Sequence, residues 1–203
     1  MQSLSEIDTT SKRASKAAGF SWGIAEEIGK AIRSLELFGL PGVINLNLYL
    51  KKIKEKHPKK VNKIEKENKN KDKELCPIYS GVAILDQCKE IEILKTIKLY
   101  NVNYPLLILP FASKASEILG KKILIEFNKS SYLINFNKSI LSKNTEKQID
   151  VLANEISIEF LENKNLFSDQ EWKELYKMSE ETFVEESASL KEKGAGAGLT
   201  DND

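Results

Sequence analysis

Residues able to do chemistry are few in this chain and far apart. Its 203 residues include one histidine, His57, and two cysteines, Cys76 and Cys88. One histidine excludes a multi-histidine metal centre, and a Ser–His–Asp triad has no placed histidine to work with. Two cysteines are too few for a structural zinc site or a disulfide framework, so neither a metal nor another cofactor is expected. His57 precedes Pro58 in a lysine-rich stretch and reads as a surface loop residue. Cys76, before Pro77 at the entrance to an expected strand, is the candidate nucleophile. A nearby cation or helix N-terminus would have to lower its pKa, and the competing reading is a buried structural thiol. Gly194–Gly198 precedes no helix and is followed by no Lys-Ser or Lys-Thr, so it is not a phosphate-binding loop. No catalytic constellation emerges, and the balance leans against an enzyme.

Three charged groupings remain. Glu26, Lys30 and Arg33 recur at helical spacing, which sets a carboxylate and two cations on one face. As plain surface this is a Glu–Lys pair contributing roughly 0.3–0.5 kcal/mol. The sharper reading is an anion site with Trp22 closing one side. Residues 51–73 hold eleven lysines against four acids. They contain no aromatic and no arginine, so specific nucleic-acid recognition is not expected and any contact would be weak and salt-sensitive. Residues 146–203 carry fifteen acids against six bases and end in Leu199, Thr200, Asp201, Asn202 and Asp203. The Gly/Ala alternation before them predicts a flexible arm. An apolar anchor followed by acids is the minimum of a docking peptide, for this chain, a second copy or another protein. A calcium loop would need more oxygen ligands.

The elements that must position these residues can be read from periodicity. Ser3 and Glu6 form a capping box, and Leu4, Ile7, Ala14, Ala17 and Ala18 give a helical stripe that ends at Gly19. Ser21 caps a second helix carrying Ala25, Ile28, Ile32 and Leu35, in which Gly29 implies a close helix–helix approach. Gly39-Leu40-Pro41-Gly42 ends it and starts a third, with Val43, Leu46, Leu50 and Ile53 on its apolar side. Residues 54–74 have almost no apolar anchors and read as a solvated linker. Beyond them, Ile78–Leu85, Ile91–Leu99, Ile123–Phe127, Tyr132–Phe136 and Glu155–Leu161 read as strands. Pro105–Leu119 reads as a helix that Pro110 kinks or delays, and Ser168 opens a last helix with Trp172, Leu175, Tyr176, Met178 and Phe183.

Ser3-Leu4-Ser5-Glu6-Ile7, the run from Gly19 to Ala31, and Gly39-Leu40-Pro41-Gly42 together resemble the opening of a bacterial family, domain-of-unknown-function family 3726. Cys76-Pro77, Pro105–Phe111 and the terminal run from Ala195 to Asp203 are similar in kind, while the lysine-rich 51–73 segment departs from the family's pattern. The resemblance brings no activity with it. A fainter likeness is to the helical N-terminus of the type-2 malate/lactate dehydrogenases. Those have Ser-His-Gly where this chain has Gly39-Leu40-Pro41-Gly42, so their hydride-transfer chemistry is not implied.

The expected fold is α+β: a three-helix unit (1–53), a lysine-rich linker (54–74), a mostly antiparallel sheet with two helices (75–186) and a Gly/Ala-rich acidic tail (187–203). The N-terminus lacks the basic and apolar regions of a signal peptide, and the longest apolar runs fall far short of the roughly 20 residues of a membrane helix. A soluble cytoplasmic protein is expected, with no membrane association. Its expected role is a non-catalytic interaction or accessory protein of a metabolic system, self-associating or binding a protein partner through the tail. The alternative is a small enzyme or binder of an anionic metabolite using Glu26, Lys30 and Arg33, and a concave pocket at the second helix would favour it over a flat surface. The position of Trp22, beside the turn at Gly19, predicts a core ring whose removal would cost about 3–5 kcal/mol.

Overall fold

A computed structural model of the chain describes residues 2–54, 57–70, 74–142 and 149–182. Two compact units are present, residues 1–163 and 164–203. In the first, α1 (Leu4–Ala17), α2 (Trp22–Leu37) and α3 (Gly42–Ile53) follow the expected boundaries closely. Ser3 accepts the Glu6 N–H at 3.2 Å while Glu6 accepts the Ser3 N–H at 2.7 Å, and Ser21 caps α2 through the Ile24 N–H. A Cβ built on Gly29 would fall 2.5 Å from Asp8 Oδ1 and 2.8 Å from the Asp8 carbonyl oxygen, so α1 and α2 do cross with almost no clearance. That tightness also selects which face of α1 turns inward. Ser11 and Ser15 are buried, whereas Ala14 and Ala17 of the expected stripe face solvent.

Trp22 is the clearest departure among the first helices. Its ring is 60% exposed, with the Lys16 ammonium 5.5 Å from the ring centre. Fully buried Phe20 covers the α1–α2 junction instead, packed edge-on to His57 and against Tyr79. As the first helical residue after its cap, Trp22 projects outward before the α2 stripe has turned inward.

The segment expected to be a solvated linker is held at several points. Ile64 is buried, and its N–H donates to Gln87 Oε1 at 3.1 Å. Glu67–Asn68 forms a short strand, β1, and the Asn68 amide donates to the carbonyls of Glu65 and Lys98. Leu75 makes a further parallel bridge to Val102. One buried isoleucine and one buried asparagine are enough to dock a polar stretch whose composition signals none of this.

The run Ile78–Leu85 is not a strand but a helix, α4 (Pro77–Asp86), followed by the short α5 (Cys88–Ile91) and a 3-10 turn at Glu92–Leu94. The expected strand Ile91–Leu99 accordingly begins only at Thr96, as β2 (Thr96–Asn103). A 3-10 turn at Pro105–Ile108 leads into α6 (Leu109–Leu119), with Pro110 accommodated in its first turn and Gly120 closing it at φ 61°. The remaining strands are β3 (Ile123–Phe127), β4 (Ser130–Asn135), β5 (Ser139–Ser142) and β6 (Leu152–Phe160). They form one sheet in the order β1-β2-β6-β3-β4-β5, antiparallel except for β1 against β2. The fold is α+β. One face of the sheet buries Ile97, Leu99, Ile125, Ile134, Ile156 and Ile158. The other is mixed, with the Lys98–Glu155 pair at 2.8 Å beside a row of Leu124, Leu133 and Leu141 in register.

The second unit contains α7 (Asp169–Glu180) with a full Ser168–Glu171 capping box. Phe167 stacks on Trp172 with ring centres 5.5 Å apart, the contact of a hydrophobic staple. Trp172, Leu175, Tyr176 and Met178 are all at least half exposed. Phe183 lies outside the described residues.

Because Ile64 is 3% exposed and joined to Gln87, Ile64→Ala is expected to destabilise by about 2–5 kcal/mol in a denaturant titration. Gly29→Ala, which forces a methyl onto Asp8, is expected to cost about 1–3 kcal/mol, whereas Trp22→Ala should cost less than either. A cooperative transition unchanged by Ile64→Ala would return residues 57–70 to the status of a linker.

Candidate functional site

The inward stripe of α2, formed by Ala25, Ile28, Ile32 and Leu35, fixes which residues the helix presents outward. Lys30, Arg33 and Leu37 stand on that outer side. Alongside runs α6, which contributes Lys114 and Pro110. The turn after β4 supplies Asn137 in a left-handed conformation, φ 57°. Ser113 donates to Asn137 Oδ1 at 3.0 Å, and the Asn137 amide donates to Glu117 at 3.0 Å, which holds the side chain in place. A further tie comes from Ser116, whose hydroxyl accepts the Phe136 N–H at 3.0 Å and donates to the Lys121 carbonyl at 2.6 Å. The result is an open cavity of about 200 Å³. Every charged residue lining it is a cation: Lys30, Arg33 and Lys114. Leu37, Phe38 and Pro110 supply an apolar side.

Behind the cations stands Glu27, which binds both Lys114 and, at 3.0 Å, Lys30. Burial raises the Glu27 carboxyl, but the hydrogen bonds and charges of Lys114 and Lys30 outweigh it and hold its pKa below the ordinary carboxylate value. Lys30 is raised in return, chiefly by its hydrogen bond to Glu27. Glu26 adds a more exposed contact to Lys30 at 3.3 Å. Arg33 makes no ion pair among the described residues and is exposed. The expected trio therefore divides: Lys30 and Arg33 line the cavity, while Glu26 stands behind Lys30. Trp22 does not line it. Leu199, Thr200, Asp201, Asn202 and Asp203 lie outside the described residues. Lys114, Asn137 and Glu27 complete the arrangement, and nothing local in the sequence marks Lys114 or Asn137, which reach α2 only through the fold.

Cys76 occupies a different place. It caps α4, accepting the Tyr79 N–H at 3.4 Å and the Tyr49 hydroxyl at 2.8 Å, and is 3% exposed. Burial pushes its thiol up to about 11, with the Tyr49 hydroxyl and the Tyr79 and Ile78 N–H groups only partly opposing this. Burial and a raised pKa both favour the protonated form and so the reading of Cys76 as a buried structural thiol. Its neighbour Glu74 forms a network with Lys52, at 2.9 Å, and Asn103, at 2.8 Å, tying the end of α3 to β2. Among the described residues no group of three or more His, Cys, Asp or Glu is arranged to hold a metal ion.

Residues 2–76 match the model of a family described as protein of unknown function (DUF3726). The match covers α1–α3, the lysine-rich segment and Cys76, and so includes the α2 side of the cavity but not Lys114 or Asn137. No curated protein and no solved structure matches the chain.

The Cys76 environment has a pH signature. An unfolded thiol ionises near about 8.5, while the folded one is held to about 11. Protons are therefore released on unfolding between these values, and stability is expected to fall as pH rises through that window. The fall should be smaller in Cys76→Ala. Native protein at pH 8 is expected to resist a thiol reagent at both buried cysteines, with full reaction only after denaturation; rapid native labelling of Cys76 would show an accessible thiolate.

Proposed function

We propose that this protein binds a small anionic ligand in the cavity between α2 and α6, as an accessory or interaction protein rather than through covalent chemistry of its own. The supporting observation is the all-cationic charged lining of that cavity, in which Arg33 makes no ion pair among the described residues. A guanidinium presents paired donors to a carboxylate or phosphate, and Asn137 is already held in position by Ser113 and Glu117. A concave site at α2 favours ligand binding over a flat contact surface. Two free buried thiols suit a reducing, cytoplasmic setting. Among the described residues no helix is long and apolar enough to cross a membrane.

The test is a titration with acetate, inorganic phosphate and a synthetic peptide of residues 194–203, whose Asp201 and Asp203 carry carboxylates, followed by backbone amide NMR. Saturable shifts are expected on residues 30–38, 111–114 and 137 with at least one of these anions. Arg33→Ala should weaken that binding at least tenfold with an unchanged thermal melt, since the side chain is exposed. Linear, non-saturating shifts with every anion, equal in parent and variant, would overturn the proposal.

A further inference from the structure

Resting on that reading of the cavity, we infer that its ligand is a short apolar monocarboxylate, selected by a single excess positive charge on Arg33 between Leu37, Phe38 and Pro110. Three cations line the cavity, but two carboxylates are directly paired with them: Glu27 with Lys30 and Lys114, and Glu26 with Lys30. Glu117 accepts the Asn137 amide at 3.0 Å and forms no ion pair with these three cations among the described residues. The two ammonium groups are thus already paired, and among the described residues the guanidinium is the cation lining the cavity that makes no ion pair. A ligand with one negative charge completes the balance. A dianion would leave one charge uncompensated at the edge of an apolar wall, or would have to draw Lys30 and Lys114 away from the hydrogen bonds they donate to Glu27.

Geometry narrows the chemistry further. Guanidinium and carboxylate are both planar and meet through two parallel hydrogen bonds, whereas Lys ammonium groups, the usual point-charge partners of phosphate, are here occupied. At about 200 Å³ the cavity lies below the range of drug-sized pockets, which suits a small ligand. Leu37 is 61% exposed and Pro110 is buried, so the apolar wall runs from the solvent edge inward and would cover a short alkyl chain.

The probes are butanoate, inorganic phosphate, butanedioate and neutral butanol, titrated at pH 8 and matched ionic strength, with the Arg33 Nε–H and residues 110–114 followed by NMR. In the parent, butanoate is expected to bind at least tenfold more tightly than phosphate or butanedioate and to shift the Arg33 Nε–H, with butanol much weaker. Glu27→Gln frees Lys114, leaves Lys30 with Glu26 alone and adds one positive charge. Glu26→Gln makes the same change in charge at a more exposed position, where the fold is not at risk. In both, phosphate should gain about tenfold relative to butanoate. Tighter phosphate or butanedioate binding in the parent, or an unchanged ratio in both variants, would overturn the monocarboxylate inference while leaving the cavity as an anion site. If no probe gives a saturable shift there in any of the three proteins, the cavity reading itself falls together with it.

Discussion

The burial of two helices, α4 and α6, on nearly all their sides is the constraint on which the rest of the first unit depends. α6 lies on β3 and β4 and also meets α2 and α4, while α4 meets α6 and the Pro105–Ile108 turn and reaches the N-terminal helices through Tyr79 and Cys76. Enclosed in this way, α4 has almost no solvent side and loses helical periodicity because nearly every face must be apolar or small, whereas α6 keeps a narrow one at Lys114, Glu117 and Ile118. Gly81 shows how closely the two approach, since a Cβ there would run into the Phe111 ring. Buried serines Ser80, Ser113 and Ser116 serve the same economy of volume, and two of them also supply hydrogen bonds to the turn that carries Asn137.

Enclosure of α4 also sets the state of Cys76. The thiol sits at the helix N-terminus, where exposed cysteines become acidic, but Tyr49 and the surrounding apolar groups keep water out and burial prevails. The same N-terminal position that suggests reactivity therefore yields a cap. Polar chemistry is displaced to the margin of the core, at the cavity lined by α2 and α6. Lys114 there crosses to Glu27, 87 residues earlier in the chain, and the resulting pair is one-third exposed on each side. Exposed pairs of this kind contribute little to stability, so their arrangement matters more for the charge of the cavity than for the fold.

The lysine-rich segment illustrates how little apolar matter a polar stretch needs in order to be ordered. Ile64 enters the core, Asn68 satisfies two backbone carbonyls, and Lys66 receives the Lys98 N–H, so that the stretch becomes an edge of the sheet. Its described lysines remain outside. Several of them find local acids, as Lys63 does with Glu65 and Lys52 with Glu74.

By itself the sequence determined whatever depends on neighbours a few residues away. Ser3, Ser21 and Ser168 marked three helix starts, Gly29 marked a close crossing, and the alternation in Ile123–Phe127 and Glu155–Leu161 marked strands with one buried face. It also put Lys30 and Arg33 on one side of α2. Tertiary structure alone decided the rest, for three physical reasons. An apolar run such as Ile78–Leu85 fits a buried strand or an enclosed helix equally well until its surroundings are known. Trp22 and Phe20 are both aromatic and two residues apart, and only the crossing of α1 and α2 settles which is buried. The cavity needs Lys114 and Asn137 from elements far along the chain, and local sequence patterns carry no record of a meeting that exists only once α6 has packed against α2.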